Sequence, residues 1–167
     1  MLTILAKLFK ALNSEQSAGQ LAMAVSLSIV IGFTPFLSLH NAILILIALW
    51  FRVNLTLLIV SYPLFALVGF LLSPMFEKFG LSLLQMPSLI VFWEAFFNTL
   101  VGRWSNFYYS GVMGSFVIGL VVAVISYPIV RFSVVSYREN WMNKIEQFKV
   151  TKLLKASKLW NIYSQQG

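Results

Sequence analysis

Charged residues divide this chain into long uncharged stretches. No Asp, Glu, Lys or Arg lies between Glu15 and Arg52, between Arg52 and Glu77, or between Arg103 and Arg131. A helix needs about 20 consecutive apolar residues to cross the ~30 Å hydrocarbon core of a bilayer. The pattern therefore predicts an all-α, polytopic integral membrane protein.

Two segments within these stretches are predicted to be full transmembrane helices. Residues 55–73 and residues 109–129 are apolar, free of formal charge and each about 20 residues long. At a rise of about 1.5 Å per residue, each is long enough to cross the hydrocarbon core once.

The apolar stretch over residues 17–51 is too long for one straight helix. It is interrupted at Gly32-Phe-Thr34-Pro35, because proline lacks an N–H and disfavours helix in the residue before it. The two halves, about 17–33 and 37–51, are each marginal in length for a crossing. They form either two short crossings or a re-entrant hairpin with its tip at the turn, and the short halves and the proline favour the hairpin.

A second interrupted segment covers residues 79–102. It is apolar and aromatic, but Pro87 breaks it and Glu94 lies inside it. The segment is either another embedded hairpin or an interfacial helix. Two hairpins of opposite orientation would resemble the inverted, broken-helix repeats of transporters.

The two ends of the chain are basic. Residues 1–12 predict an interfacial amphipathic helix, residues 15–138 a membrane domain, and residues 139–167 a basic cytoplasmic tail. Positive charge accumulates on the cytoplasmic side of membrane proteins, so both termini are predicted to be cytoplasmic and the protein to be multi-pass in a bacterial inner membrane. The tail lysines predicted to contact anionic lipid headgroups are Lys144, Lys149, Lys152, Lys155 and Lys158.

The amino-acid composition limits the catalytic and metal-binding sites that the chain can form. The chain is 59% hydrophobic and only 10% charged, with net charge +7, no Cys and a single His. It also contains no Asp, so the sequence offers neither a Ser-His-Asp set nor a cluster of metal ligands. The prediction is a protein that is not an enzyme and has no metal, no cofactor and no nucleic-acid partner, since the basic balance follows from membrane orientation.

Several polar residues within the apolar stretches are candidates for function. The turn and the residues after it can form a polar pocket suited to a lipid headgroup, or can hydrogen-bond to one another and stabilise the turn. The lone His is a proton shuttle or a structural hydrogen-bonding group. These candidates at the turn are Gly32, Thr34, Pro35, His40 and Asn41.

Four further candidates lie elsewhere. Glu94 is a proton carrier, the ion-pair partner of Arg103 or Arg52, or a water-facing carboxylate on an interfacial segment. Arg52, followed by Asn54, ends the second half of the broken stretch, where an arginine side chain can extend to lipid phosphate.

The order of these motifs resembles a known family. Gly32-Phe-Thr-Pro35, Leu39-His-Asn41 and Arg52-Val-Asn54 follow one another as in a family of small bacterial inner-membrane proteins defined by a domain of unknown function. The resemblance covers about residues 15–138 and implies a polytopic inner-membrane protein with no assigned activity. The Gly-x-x-Pro turn is also weakly similar to the re-entrant tips of DedA-like proteins.

Two functions follow from these observations. The first is an accessory or structural subunit of an envelope assembly, in contact with membrane lipids and with either another envelope protein or a second copy of this chain. The alternative is a small transporter of lipid or solute built on opposed re-entrant hairpins.

Overall fold

A computed structural model describes residues 16–141, and this part of the chain is helical with short connections. No strand occurs within residues 16–141, so the predicted all-α class is confirmed there. The predicted helix over 1–12 and the five tail lysines lie outside the described residues. The helices are α1 (Ala18–Phe33), α2 (Leu39–Trp50), α3 (Leu55–Leu84), α4 (Ile90–Phe97), α5 (Leu100–Ser105) and α6 (Ser110–Ser136), with a 3₁₀ turn at Pro87–Leu89 and a π-helical turn at Tyr137–Trp141.

Three helices form the core. α1, α3 and α6 pack against one another, whereas α2 lies against α1 and α5. Within the core the Ser26 and Ser126 hydroxyls, one from α1 and one from α6, lie 3.2 Å apart and hydrogen-bond. The buried apolar cluster draws on α1, α2, α3 and α6 and on the turn between α2 and α3, and it contains Leu21, Ala24, Val30, Ile31, Leu44, Ala48, Val53, Leu57, Leu58, Ala123 and Val134.

Glycines let the core helices touch backbone to backbone. A Cβ on Gly32 of α1 would lie 2.9 Å from the Phe65 carbonyl carbon of α3. Gly80 of α3 and Gly114 of α6 form a second crossing, because a Cβ on either one would overlap the backbone of the other helix. Small residues permit such close approach between helices, where packing is the main attraction available in a membrane.

The two long helices lie where the uncharged stretches predicted them. α3 and the helix over Ser110–Glu139 are each long and apolar enough to cross a membrane. The helix that contains the first predicted crossing, over residues 55–73, is longer than that segment, because α3 continues through Pro74 and Glu77 to Leu84. Proline is tolerated inside such helices where neighbouring helices support the freed backbone groups.

The segment predicted over residues 79–102 is divided differently in the structure. Its first residues belong to α3, and the remainder forms the 3₁₀ turn, the eight-residue α4 and the start of the six-residue α5. At about 1.5 Å per residue, α4 and α5 span only about 12 Å and 9 Å. Each is therefore far too short for a crossing, and both carry exposed apolar and aromatic side chains.

Candidate functional site at the helix break

The break between α1 and α2 lies at Thr34 and Pro35. α1 ends at Phe33, and Thr34 is extended, with φ −102° and ψ 160°, as expected for a residue before proline. Ser38 then begins α2, because its hydroxyl accepts a 3.4 Å hydrogen bond from the Asn41 N–H. A serine at this position satisfies one of the free N–H groups at a helix start.

Asn41 ties the two sides of the break together and is completely buried. Its Nδ2 donates to the Pro35 carbonyl at 2.9 Å and lies 3.5 Å from the Ile31 carbonyl. In a continuous helix the Ile31 carbonyl would accept from the N–H of residue 35, which proline lacks. The Thr34 hydroxyl lies 2.9 Å from the Val30 carbonyl and 3.0 Å from Asn41 Oδ1, so its single proton is shared between these acceptors.

His40 lies next to Asn41 in the first turn of α2 and is 7% exposed. Its Nε2 is 2.9 Å from the Ser38 hydroxyl. Its ring stacks on Phe107 at a centroid distance of 5.3 Å and packs at a tilt against Phe116 at 5.0 Å. The ring also lies beside the backbone of Ser105. These contacts place the imidazole in an aromatic cage rather than beside a second ionisable side chain.

Two open grooves flank the break. The first, of about 360 Å³, lies between the end of α1, α3 and α6, and is lined by Phe33, Thr34, Pro35, Gly69, Phe70, Ser73, Phe76, Tyr109, Gly111, Val112 and Ser115. The second, of about 460 Å³, lies between the break, α2 and the end of α5, and is lined by Phe36, Leu37, Ser38, Leu39, Ala42, Ile45, Trp104 and Asn106. Neither lining contains a charged side chain.

Hydrogen bonds join Thr34, Pro35 and Asn41. The other two candidates at the turn have different neighbours: Gly32 packs against α3, and His40 contacts Ser38 and two aromatic rings. Arg52 and Asn54 lie apart, in the turn between α2 and α3. Arg52 is exposed and has a left-handed backbone conformation (φ 50°).

Asn54 has a local role at the start of α3. Its Oδ1 accepts a 2.8 Å hydrogen bond from the Leu57 N–H, which makes it the residue that begins the helix. The geometry therefore assigns Asn54 a capping function.

Of the alternatives for Glu94, the ion pair with Arg103 or Arg52 is not formed in the described part of the chain. Among residues 16–141 no ion pair joins these side chains, and Glu94 is exposed on α4. The Arg103 Nη2 instead lies 3.5 Å from the Asn98 carbonyl. Neither residue lines a groove at the break, because α4 and α5 turn both side chains outward.

Sequence reasoning missed part of this site. Ser38 was not singled out, although its spacing of three residues from Asn41 is a recognisable helix-start signal. Phe107 and Phe116 were also missed. They follow His40 by more than 60 residues in the chain, and no local pattern connects them to it.

Comparisons with known proteins find one uncharacterized bacterial family and an uncharacterized relative. Residues 3–142 match the family described as "Uncharacterized protein conserved in bacteria (DUF2062)". An uncharacterized protein of Treponema pallidum (strain Nichols) is 26% identical over 159 residues, which cover 95% of this chain and 98% of the relative. No solved structure matches this chain. The similarity to DedA-like proteins is not shown by these matches.

Proposed function

This chain belongs to the DUF2062 family of uncharacterized conserved bacterial proteins, and we propose that it is a non-enzymatic accessory subunit of an envelope assembly, embedded in the inner membrane. In this proposal α3 and α6 cross the bilayer, α1 and α2 form a re-entrant hairpin, and both termini are cytoplasmic.

The exposure of the two long helices supports embedding in a bilayer. Within the most apolar 18 residues of α3, only 22% is buried inside the protein. The corresponding share for the helix over Ser110–Glu139 is 28%. The core helix of a water-soluble protein would be mostly buried. Phe70, Val124 and Phe132 instead expose 75%, 73% and 73% of their surfaces, as expected for helices that face lipid or another membrane protein.

Helix length supports a re-entrant hairpin. The 16 residues of α1 extend about 24 Å and the 12 residues of α2 about 18 Å, both less than the ~30 Å hydrocarbon core. A non-helical tip at membrane depth requires protein around its backbone groups. Asn41 and Thr34 supply that cover from within the hairpin.

The observation that carries the structural role is the internal pairing of the polar groups at the break. The Thr34 hydroxyl and the Asn41 amide both bond to groups between Val30 and Asn41. Both side chains are buried and hydrogen-bonded within the break, so they stabilise the turn instead of offering free ligands. A fixed, fully bonded hairpin suits a scaffold that presents its outer surface to another membrane protein.

The grooves beside the break favour a second candidate, a small transporter of lipid or solute. That function rests on a second embedded hairpin facing the first. α4 and α5 are short, and Glu94 and Arg103 are exposed on them, so this part of the chain lends the transporter less support than the scaffold.

Membrane topology is tested by single-cysteine labelling, which is direct because the chain has no native cysteine. In spheroplasts, a membrane-impermeant maleimide should label the Glu94→Cys protein immediately and the Arg52→Cys protein only after the membrane is opened. Equal labelling of both proteins in sealed spheroplasts, or release of the chain into buffer without detergent, would contradict the proposed embedding.

The accessory role is tested by crosslinking in native membranes followed by mass spectrometry and by native gel electrophoresis in mild detergent. We expect the chain to migrate in a complex with one recurrent membrane or envelope protein, and deletion of the chain to lower that protein's abundance or activity. A lone monomer whose deletion leaves every crosslinked protein unchanged would refute the role.

A further inference from the structure

The groove between α1, α3 and α6 has the properties of a lipid-chain site, and we propose that it binds one acyl chain of a bilayer phospholipid. This inference rests on the proposed embedding in the membrane. Phe33, Phe70 and Phe76 provide its apolar surface, and the volume is about 360 Å³, within the range of small-molecule sites.

The position of the groove in the proposed bilayer indicates which molecules surround it. The α3 residues that line it run from Gly69 to Phe76, which lie about 21 to 31 Å along the helix from Leu55 at about 1.5 Å per residue. With Leu55 at the cytoplasmic boundary, this is the last part of the hydrocarbon core before the opposite headgroup layer. The surrounding medium at that depth is acyl chains close to their ester groups.

The chemistry of the lining agrees with that occupant. It contains no charged residue, which disfavours an ion or a charged solute. Its polar groups are hydroxyls, and two of them, on Ser73 and Tyr109, belong to exposed residues that can face a glycerol ester. Phe70 is 75% exposed, so the groove opens sideways between the helices, and a lipid chain can enter it directly from the bilayer.

Gly111 gives a means to close the groove without disturbing the fold. It lines the groove, and a Cβ built on it has no atom within 4 Å. A leucine there would occupy the groove, and leucine is also the better helix former. The Gly111→Ala protein is the matched control, because it makes the same change in backbone freedom while leaving most of the volume open.

The test uses the chain's lack of native cysteine. The Ser73→Cys protein, labelled with a thiol-reactive benzophenone, is reconstituted into vesicles of phosphatidylethanolamine and phosphatidylglycerol, irradiated and analysed by mass spectrometry. The Val124→Cys protein serves as the reference, since Val124 is 73% exposed on α6 and lies outside the groove lining.

We expect Gly111→Leu to lower the yield of lipid adduct on the Ser73→Cys protein several-fold relative to Gly111→Ala, and to leave the adduct on the Val124→Cys protein unchanged. Equal yields in both backgrounds would overturn the groove site. A crosslinked dimer in place of the lipid adduct would also overturn it, because a second copy would then fill the groove. Absence of lipid adducts at both positions would instead refute the membrane embedding itself.

Discussion

Proline has opposite consequences in two regions of this molecule. At Pro35 the chain leaves α1 and begins a new helix, whereas Pro63 and Pro74 lie inside α3, and Pro128 lies inside α6, without ending either helix. Each proline removes one backbone hydrogen bond and crowds the preceding turn. The difference between the two regions must therefore come from what surrounds each proline.

At Pro35, side chains take over the bonds that the backbone loses. Asn41 reaches the carbonyl of Ile31, Thr34 bonds to the carbonyl of Val30, and Ser38 begins α2. Along α3, close packing at the glycine crossings near Pro63 and Pro74 favours continuation of the helix. In this fold a helix ends at a proline where polar side chains bond to the freed backbone carbonyls. A helix continues through a proline where it packs closely against a neighbouring helix.

The strongest test removes the central polar side chain. We expect Asn41→Leu to lower the free energy of unfolding by about 3 kcal/mol, since a buried amide is lost and several carbonyls are left without donors. The measurement is equilibrium unfolding in detergent, followed by circular dichroism. Asn98→Ala is the control, because the exposed Asn98 amide bonds only to the Glu94 carbonyl of its own helix. Equal losses would mean that Asn41 does not hold the break.

The packing side of the comparison is tested at the crossing of α3 and α6. Gly114→Ala should cost about 2 kcal/mol of unfolding free energy, because its methyl group would overlap the Phe76 backbone and force the helices apart. Gly111→Ala, three residues away with open space around its Cβ, should be neutral or slightly stabilising. If the two alanines behave alike in the same unfolding assay, close packing does not support the proline-containing helices.

A smaller effect is expected from Thr34→Val, which preserves shape and removes the hydroxyl. The free energy of unfolding should fall by about 1 kcal/mol as Asn41 Oδ1 loses its donor. Thr56→Val, at an exposed position in the first turn of α3, provides the same chemical change without a buried partner. A loss at Thr56 as large as that at Thr34 would argue against the buried bond.

The smallest effect is expected at Pro35 itself. Because Ser38, Thr34 and Asn41 hold the break, Pro35→Ala should leave the helical circular dichroism signal unchanged and alter stability by less than about 1 kcal/mol. Pro63→Ala, in contrast, should restore a backbone donor inside α3. A rise in helical signal on Pro35→Ala would show that the proline alone separates α1 from α2.

The sequence predicted the elements whose signals are local. Uncharged runs located α3 and α6, and Gly32-Phe-Thr-Pro35 located the break, because charge and proline act on the residues around them. The continuation of α3 beyond residue 73 was not predictable in this way. The added part of α3 carries Gly80, which packs closely on Gly114 of α6, and this contact joins segments that are distant in the chain.

The candidate site was predictable to the same extent. Its polar members at the break lie within ten residues and could be grouped from the sequence. The pairing of Thr34 with Asn41 was one of two open alternatives, and only the geometry distinguishes mutual bonding from an open pocket. The aromatic rings around His40 belong to Phe107 and Phe116. Phe107 lies just before α6 and Phe116 lies within it, so both are distant from His40 in the sequence.

The hydroxyl pair between Ser26 and Ser126 has a consequence for biosynthesis. The partners are 100 positions apart, so α1 and α2 leave the ribosome well before α6, one of the helices that will enclose them, has been translated. In the proposed embedding, the hairpin would meet lipid during that interval without its final neighbours. A turn whose donors and acceptors lie between Val30 and Asn41 can close by itself, so the nascent hairpin would keep its shape in the bilayer until α6 is added.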